Sequence, residues 1–149
     1  MAIVLPKLSR LRTSARSASD TAPALTVELC REDGRYEAGK PLAAQWRVGS
    51  HAISEVTGLE ASVLWFTEGK GDEDLQVHYF ERWNDSQLQA LDLSKAHSID
   101  CRLPWSPVSY EGVLVRIRWC VRMRLFRTGG RECVTQQPFQ LVAGHWPGP

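Results

Sequence analysis

Residues 113–126 alternate between apolar side chains and a second set that contains four arginines. The apolar set occupies every odd position, namely Val113, Val115, Ile117, Trp119, Val121, Met123 and Leu125. A period of two places successive side chains on opposite faces of a β-strand, whereas a helix would scatter both sets around its axis. The alternation therefore predicts one long strand, with its odd positions in a core and its even positions directed away from it.

A tight hairpin is predicted to follow this strand. Gly129 and Gly130 supply the positive φ angles that a two-residue turn requires. With the two glycines as the turn, Leu125 would lie opposite Val134 and Arg127 opposite Glu132. An opposite-charge pair across two strands favours that register by roughly 0.2–1 kcal/mol.

Shorter alternating runs, separated by turn residues, make up the rest of the chain. The predicted strands are 24–30, 42–48, 56–67, 75–83, 87–93, 97–103, 132–137 and 139–142, in addition to the long one. Strands at this spacing, with no convincing helix, predict an all-β fold, an antiparallel two-sheet β-sandwich. The sandwich is expected to occupy residues 24–143, before a tail at 144–149.

Residues 1–23 differ from this domain in composition. They are rich in serine and basic until Asp20, the first acidic residue. The segment is predicted to be a flexible basic leader. Two alternatives stay open: a docking segment that makes peripheral contact with a membrane surface, and an organelle transit peptide.

Composition narrows the function classes. The net charge of +1 gives no general case for nucleic-acid binding, and no apolar run is long enough for a membrane span. The four cysteines form no C-x-x-C pair, which is typical of reduced thiols in a cytoplasmic protein. Neither a metal-ligand spacing, nor a catalytic signature, nor a cofactor motif is present, so we expect no enzyme, no metal and no cofactor.

Several short motifs, in a fixed order, resemble landmarks of arrestin-like domains. They are a Tyr-x-x-Gly connection at Tyr36 and Gly39, a Leu-Pro strand end at Leu103 and Pro104, a Ser-Tyr-x-Gly turn at Ser109, Tyr110 and Gly112, and a long strand centred on Trp119. The resemblance covers about residues 24–142. It implies an immunoglobulin-like sandwich in a single-domain form, used as a noncatalytic scaffold or adaptor. A fibronectin-III or other immunoglobulin-like domain is the structural alternative.

The four arginines of the long strand are the leading candidate binding residues. Arg116, Arg118, Arg122 and Arg124 recur on one face, with neighbours in each pair about 6.5–7 Å apart. One interpretation is a solvated face whose charges are balanced by acids such as Glu28, Glu60 or Glu81. The other is a surface for an acidic or phosphorylated protein partner, since guanidinium forks match carboxylates and phosphates.

Trp105, in a Pro-Trp-Ser-Pro loop, is the second candidate contact. It is expected either to anchor a partner or to fold over the open end of the sandwich. The sequence thus favours a protein-interaction module, an adaptor or an assembly subunit. A small-ligand or lipid-binding sandwich and a structural subunit of a larger particle stay open as alternatives.

Overall fold

The computed structural model describes residues 22–145, which form nine strands and one short α-helix. The strands are β1 Leu25–Leu29, β2 Arg35–Glu37, β3 Pro41–Val48, β4 Val56–Gly69, β5 Leu75–Trp83, β6 His97–Arg102, β7 Tyr110–Glu111, β8 Val115–Arg127 and β9 Arg131–Val142. Helix α1 spans Asp85–Gln89, and 3-10 turns occur at Ile53–Glu55 and Thr128–Gly130. Strand accounts for 58% and helix for 9% of the described residues, which confirms the all-β prediction. The predictions for residues 1–21 and 146–149 lie outside the described residues.

The strands form two sheets. The smaller has the order β1-β3-β6, and the larger has the order β2-β9-β8-β4-β5, with β7 paired to β8. All pairings are antiparallel except that of β2 with β9, which is parallel over three residues. The expectation of a wholly antiparallel arrangement is therefore wrong at this edge. No helix in the described part of the chain is long and apolar enough to cross a membrane.

The two sheets share one hydrophobic core, and β8 lies at its centre. Trp119, Val121, Met123 and Leu125 are buried there, as their odd positions predict. Full burial of such side chains contributes roughly 1.5–3 kcal/mol each in transfer free energy. The indole nitrogen of Trp119 also donates a hydrogen bond to the carbonyl of Pro107 at 2.8 Å.

The first residues of the predicted strand do not reach the core. Val113 precedes β8 and is fully exposed, and Val115 is 38% exposed. The amide of Gly112 donates to the carbonyl of Val115 in the turn from β7 to β8. Alternation identifies which face a side chain takes, but it does not show how far the opposite sheet extends.

The predicted hairpin register is wrong by one residue. The turn contains three residues, Thr128–Gly130, so Leu125 lies opposite Cys133 and Arg127 lies opposite Arg131. The two facing arginines share the carboxylate of Glu55, with Arg127 Nε 2.9 Å from Oε2 and Arg131 3.0 Å from Oε1. A single acid thus compensates two cations that the predicted register would have separated.

A second error concerns residues 87–93, predicted as a strand. Asn84 accepts a hydrogen bond from the amide of Gln87 at 3.0 Å, and the Gln87 side chain accepts from the amide of Asn84 at 2.8 Å. This reciprocal capping box starts α1, whose residue Leu88 is buried in the core. The N-x-x-Q spacing was a readable helix signal.

Candidate functional site

The four arginines of β8 have different surroundings. Arg116 and Arg118 lie at the end of the strand outside the core, and both contact Glu111 of β7 at 3.4 Å and 2.6 Å. Arg118 also lies 3.4 Å from Glu68 of β4. All these side chains are well exposed, so each pair contributes at most about 1 kcal/mol.

Arg124 is paired more completely. Its Nε and one terminal nitrogen lie 2.8 Å and 2.6 Å from the same oxygen of Glu132, and another nitrogen lies 3.5 Å from Glu60. Its guanidinium also lies 5.2 Å from the centre of the Phe126 ring. Arg124 is therefore held by charge and by an aromatic face at once.

Arg122 differs from the other three. It is only 4% exposed, and it has neither a hydrogen bond nor an ion pair with any described residue. Its Nε is buried with no acceptor. Burial lowers the pKa of Arg122, and the nearby Arg124 lowers it further. The carboxylates of Glu132 and Glu60 raise it, but more weakly. Most buried polar groups in folded proteins have a hydrogen-bond partner, so the buried Nε of Arg122 is an exception.

Of the predicted counter-acids, only Glu60 balances an arginine of β8. Glu28 lies on the smaller sheet, and Glu81 instead accepts a hydrogen bond from the hydroxyl of Tyr79. The other acids that pair with the four candidate arginines are Glu68, Glu111 and Glu132, all on strands beside β8. The one-residue error in the hairpin concealed Glu132, because the predicted register placed it opposite Arg127.

The cross-strand register shows what surrounds Arg122. Ser62 of β4 and Gln136 of β9 lie beside it, and Phe80 of β5 lies beyond Ser62. The next row along the sheet consists of Val77, Leu64, Cys120 and Pro138. All these side chains lie on the face of the larger sheet directed away from the shared core.

This face combines buried and exposed apolar groups. Leu64 and Cys120 are buried although neither belongs to the shared core. Phe80 is 52% exposed, and Val77 and Val134 are also exposed. We define the outer patch as these five residues together with Arg122.

Trp105 lies elsewhere, in the loop between β6 and β7. Its ring packs against Gly39 and Gly144, so that a side-chain carbon on Gly39 would collide with it. Gly39 also has φ of +78°, a conformation that favours glycine. The ring is 40% exposed. Trp105 thus covers a glycine-lined corner and is not part of the outer patch.

Two of the cysteine thiols are poorly suited to nucleophilic chemistry. Burial raises the pKa of the Cys120 thiol to about 12 and that of Cys101 to about 11, which disfavours the nucleophilic thiolate at neutral pH. Within residues 22–145 no three His, Cys, Asp or Glu side chains are placed to hold a metal ion. A cavity of about 560 Å³ lies beside β7 and β9. Its wall includes Val108, Tyr110, Arg118, Trp119, Phe139 and Leu141.

No protein-family model matches this chain, and no curated protein matches it.

Proposed function

We propose that this protein is a noncatalytic interaction module that binds an acidic segment of another protein at the outer patch. The observation that carries the proposal is Arg122, a cation that is 4% exposed and has neither an ion pair nor a hydrogen bond among the described residues. Its neighbours Arg118 and Arg124 are both paired with carboxylates. A partner's carboxylate would complete the one unfinished ion pair on β8.

Desolvation explains why this position favours a ligand. A guanidinium loses much of its hydration when it is buried, which is unfavourable unless acceptors replace the lost water. In the free protein the buried Nε of Arg122 has no acceptor, and the carboxylates of Glu132 and Glu60 offset the cost of burial only in part. A carboxylate arriving from a partner would form charge-assisted hydrogen bonds with a guanidinium whose Nε is already shielded from water.

The exposed apolar residues support the same surface. Phe80 and Val77 lie on β5, and Val134 lies on β9, so exposed apolar groups flank Arg122 on two sides. Protein interfaces typically combine apolar and aromatic contacts with a few well-placed polar groups. The outer patch has this composition.

We further propose that the fold is arrestin-like and that the protein acts as a cytoplasmic adaptor or assembly subunit. The motif residues have structural roles that support this. The hydroxyl of Tyr36 donates to the carbonyl of Ala43 at 2.9 Å, which ties the connection after β1 to β3. The hydroxyl oxygen of Ser109 accepts from the amide of Leu141 at 2.9 Å, which ties the segment before β8 to β9.

A small-ligand binder is the second candidate, and the cavity beside β7 favours it. A volume of about 560 Å³ falls within the range of ligand sites. Aromatic residues and Arg118 line it. A bound organic molecule that copurifies with the protein would favour this alternative.

Affinity purification of the tagged full chain from its native source tests the proposal. The matched variants are Arg122→Gln and, as a control, Arg47→Gln, which changes an exposed arginine on the smaller sheet. We expect a stoichiometric partner with the wild type and the control, and its loss with Arg122→Gln. Titration of that partner at two salt concentrations should then show weaker binding at the higher one. Equal recovery with all three proteins would exclude the outer patch as the binding surface.

A further inference from the structure

We infer that the outer patch recognises a single carboxylate between apolar side chains, in an extended segment, and discriminates against phosphorylated or polyacidic segments. The inference rests on the proposed function and specifies the chemistry of the partner. It follows from the number of unpaired charges, the position of the apolar residues and the acids that border the patch.

The charges next to Arg122 are already matched to one another. Glu60 lies 3.6 Å from Arg82 and 3.5 Å from Arg124, and Glu132 lies 2.6 Å from Arg124. These four side chains form a chain of alternating charges. Arg122 is outside that chain, so this part of the patch has a place for one negative charge.

The bordering acids disfavour a second negative charge. Glu60 and Glu132 lie near enough to Arg122 to influence its pKa. A phosphate group carries a charge of about −1.5 to −2 at neutral pH. Its excess charge would be repelled by both carboxylates, whereas a monoanionic aspartate or glutamate would be neutralised by Arg122 alone.

The apolar residues set the length and shape of the segment. Phe80 lies two strands from Arg122, about 10 Å away at the usual strand spacing, and Val134 lies one strand away and two residues along, about 8 Å away. In an extended segment, alternate side chains on one face are separated by about 6.5–7 Å. Apolar side chains two residues on either side of the acid would therefore lie on the same face and approach Phe80 and Val134.

Charge also distinguishes the possible occupants. Residues 1–21 of this chain carry Lys7, Arg10, Arg12 and Arg16 against the single acid Asp20, so they would add cations next to Arg122. A second copy, related by a two-fold axis through the patch, would place its own Arg122 opposite the first. A partner with an acidic, apolar segment fits better than either.

The test uses capped synthetic peptides titrated against the full chain. The probe has one central aspartate with leucines about two residues to each side. The comparison peptides carry asparagine, phosphoserine or a run of aspartates at the centre. We expect the aspartate peptide to bind about tenfold more tightly than the asparagine peptide. The phosphoserine and polyaspartate peptides should bind more weakly than the aspartate peptide.

Variants of the protein assign the effect to Arg122. In Arg122→Gln the aspartate and asparagine peptides should bind equally, while Arg47→Gln should retain the difference. Arg122→Lys, which keeps the charge but loses the fork, should give an intermediate difference. Melting temperatures of all the variants establish that each one is folded.

Several outcomes would overturn the inference. These are no binding of the aspartate peptide, a preference for phosphoserine, or a discrimination that persists in Arg122→Gln. Binding that emerges only after deletion of residues 1–21 would show that this segment occupies the patch, and loss of binding on dimerisation would show that a second copy does. In each of these cases, loss of the native partner from Arg122→Gln in the affinity purification would still support the proposed function.

Discussion

At the scale of single residues, Arg122 shows how far alternation can predict a site. The even spacing of the arginines placed Arg122 away from the shared core, and the register confirms that position. Alternation contains no information about counter-ions, which come from strands distant in sequence. The difference between Arg122, which has no ion pair, and its three paired neighbours therefore appears only in the folded structure.

The unpaired charge of Arg122 has a measurable consequence for stability. Replacing Arg122 with methionine keeps a long side chain but removes the desolvated cation, so the free energy of unfolding should rise by about 1–3 kcal/mol. Arg124→Met is the matched comparison, because it breaks contacts with Glu132 and Glu60 and should lower the free energy by about 1 kcal/mol. Urea unfolding of the free proteins measures both changes. If the two variants lose stability equally, Arg122 has a stabilising partner after all.

At the scale of elements, the β8–β9 hairpin shows why register is harder to predict than strand identity. Gly129 and Gly130 correctly indicated the turn, since both adopt positive φ angles of 79° and 73°. The turn includes Thr128 as well, and that one extra residue exchanges the two faces of β9. Phe139 and Leu141 are buried in the core. Both residues occupy odd positions. If β9 is taken as one continuous strand through Pro138, Cys133 must therefore face the core as they do, which gives the correct register.

Glu55 is expected to stabilise this hairpin in a pH-dependent way. Hydrogen bonds from Arg127 and then Arg131 lower the pKa of Glu55 in the folded protein. A carboxyl group whose pKa is lower in the folded than in the unfolded protein stabilises the fold at pH values above its unfolded-state pKa. That contribution is lost as the pH falls through the folded-state pKa. Glu55→Gln should therefore melt at a lower temperature than the wild type at pH 7, and the difference should shrink below about pH 4.

Thermal unfolding of both proteins across that pH range measures the effect. Glu37→Gln, which changes an exposed acid on β2, serves as the control and should leave the pH dependence unchanged. A difference between Glu55→Gln and the wild type that stays constant down to the lowest pH would contradict an ionic role for Glu55.

At the scale of the whole molecule, local patterns predicted the composition of the fold better than its assembly. Apolar alternation and turn residues identified β3, β5 and β6 within one or two residues at each end. The parallel pairing of β2 with β9 joins segments about a hundred residues apart, and β2 contains only three residues. Such a short strand has no periodicity of its own. Its position is set by the buried Tyr36, whose hydroxyl donates to the carbonyl of Ala43 on the other sheet, and by the pairing with β9.

The extent of the core along β8 gives the last prediction. The alternation predicts the same inward face for Trp119 and Val113, yet Trp119 is 1% exposed whereas Val113 lies in the turn before the strand. Trp119→Ala removes packing and the hydrogen bond to Pro107, so the free energy of unfolding should fall by about 3–5 kcal/mol. Val113→Ala should change it by less than about 0.5 kcal/mol. Urea unfolding of both variants measures the two changes. A large loss of unfolding free energy for Val113→Ala would mean that the core extends to the start of the predicted strand. The end of the sheet that bears Arg116 would then be packed.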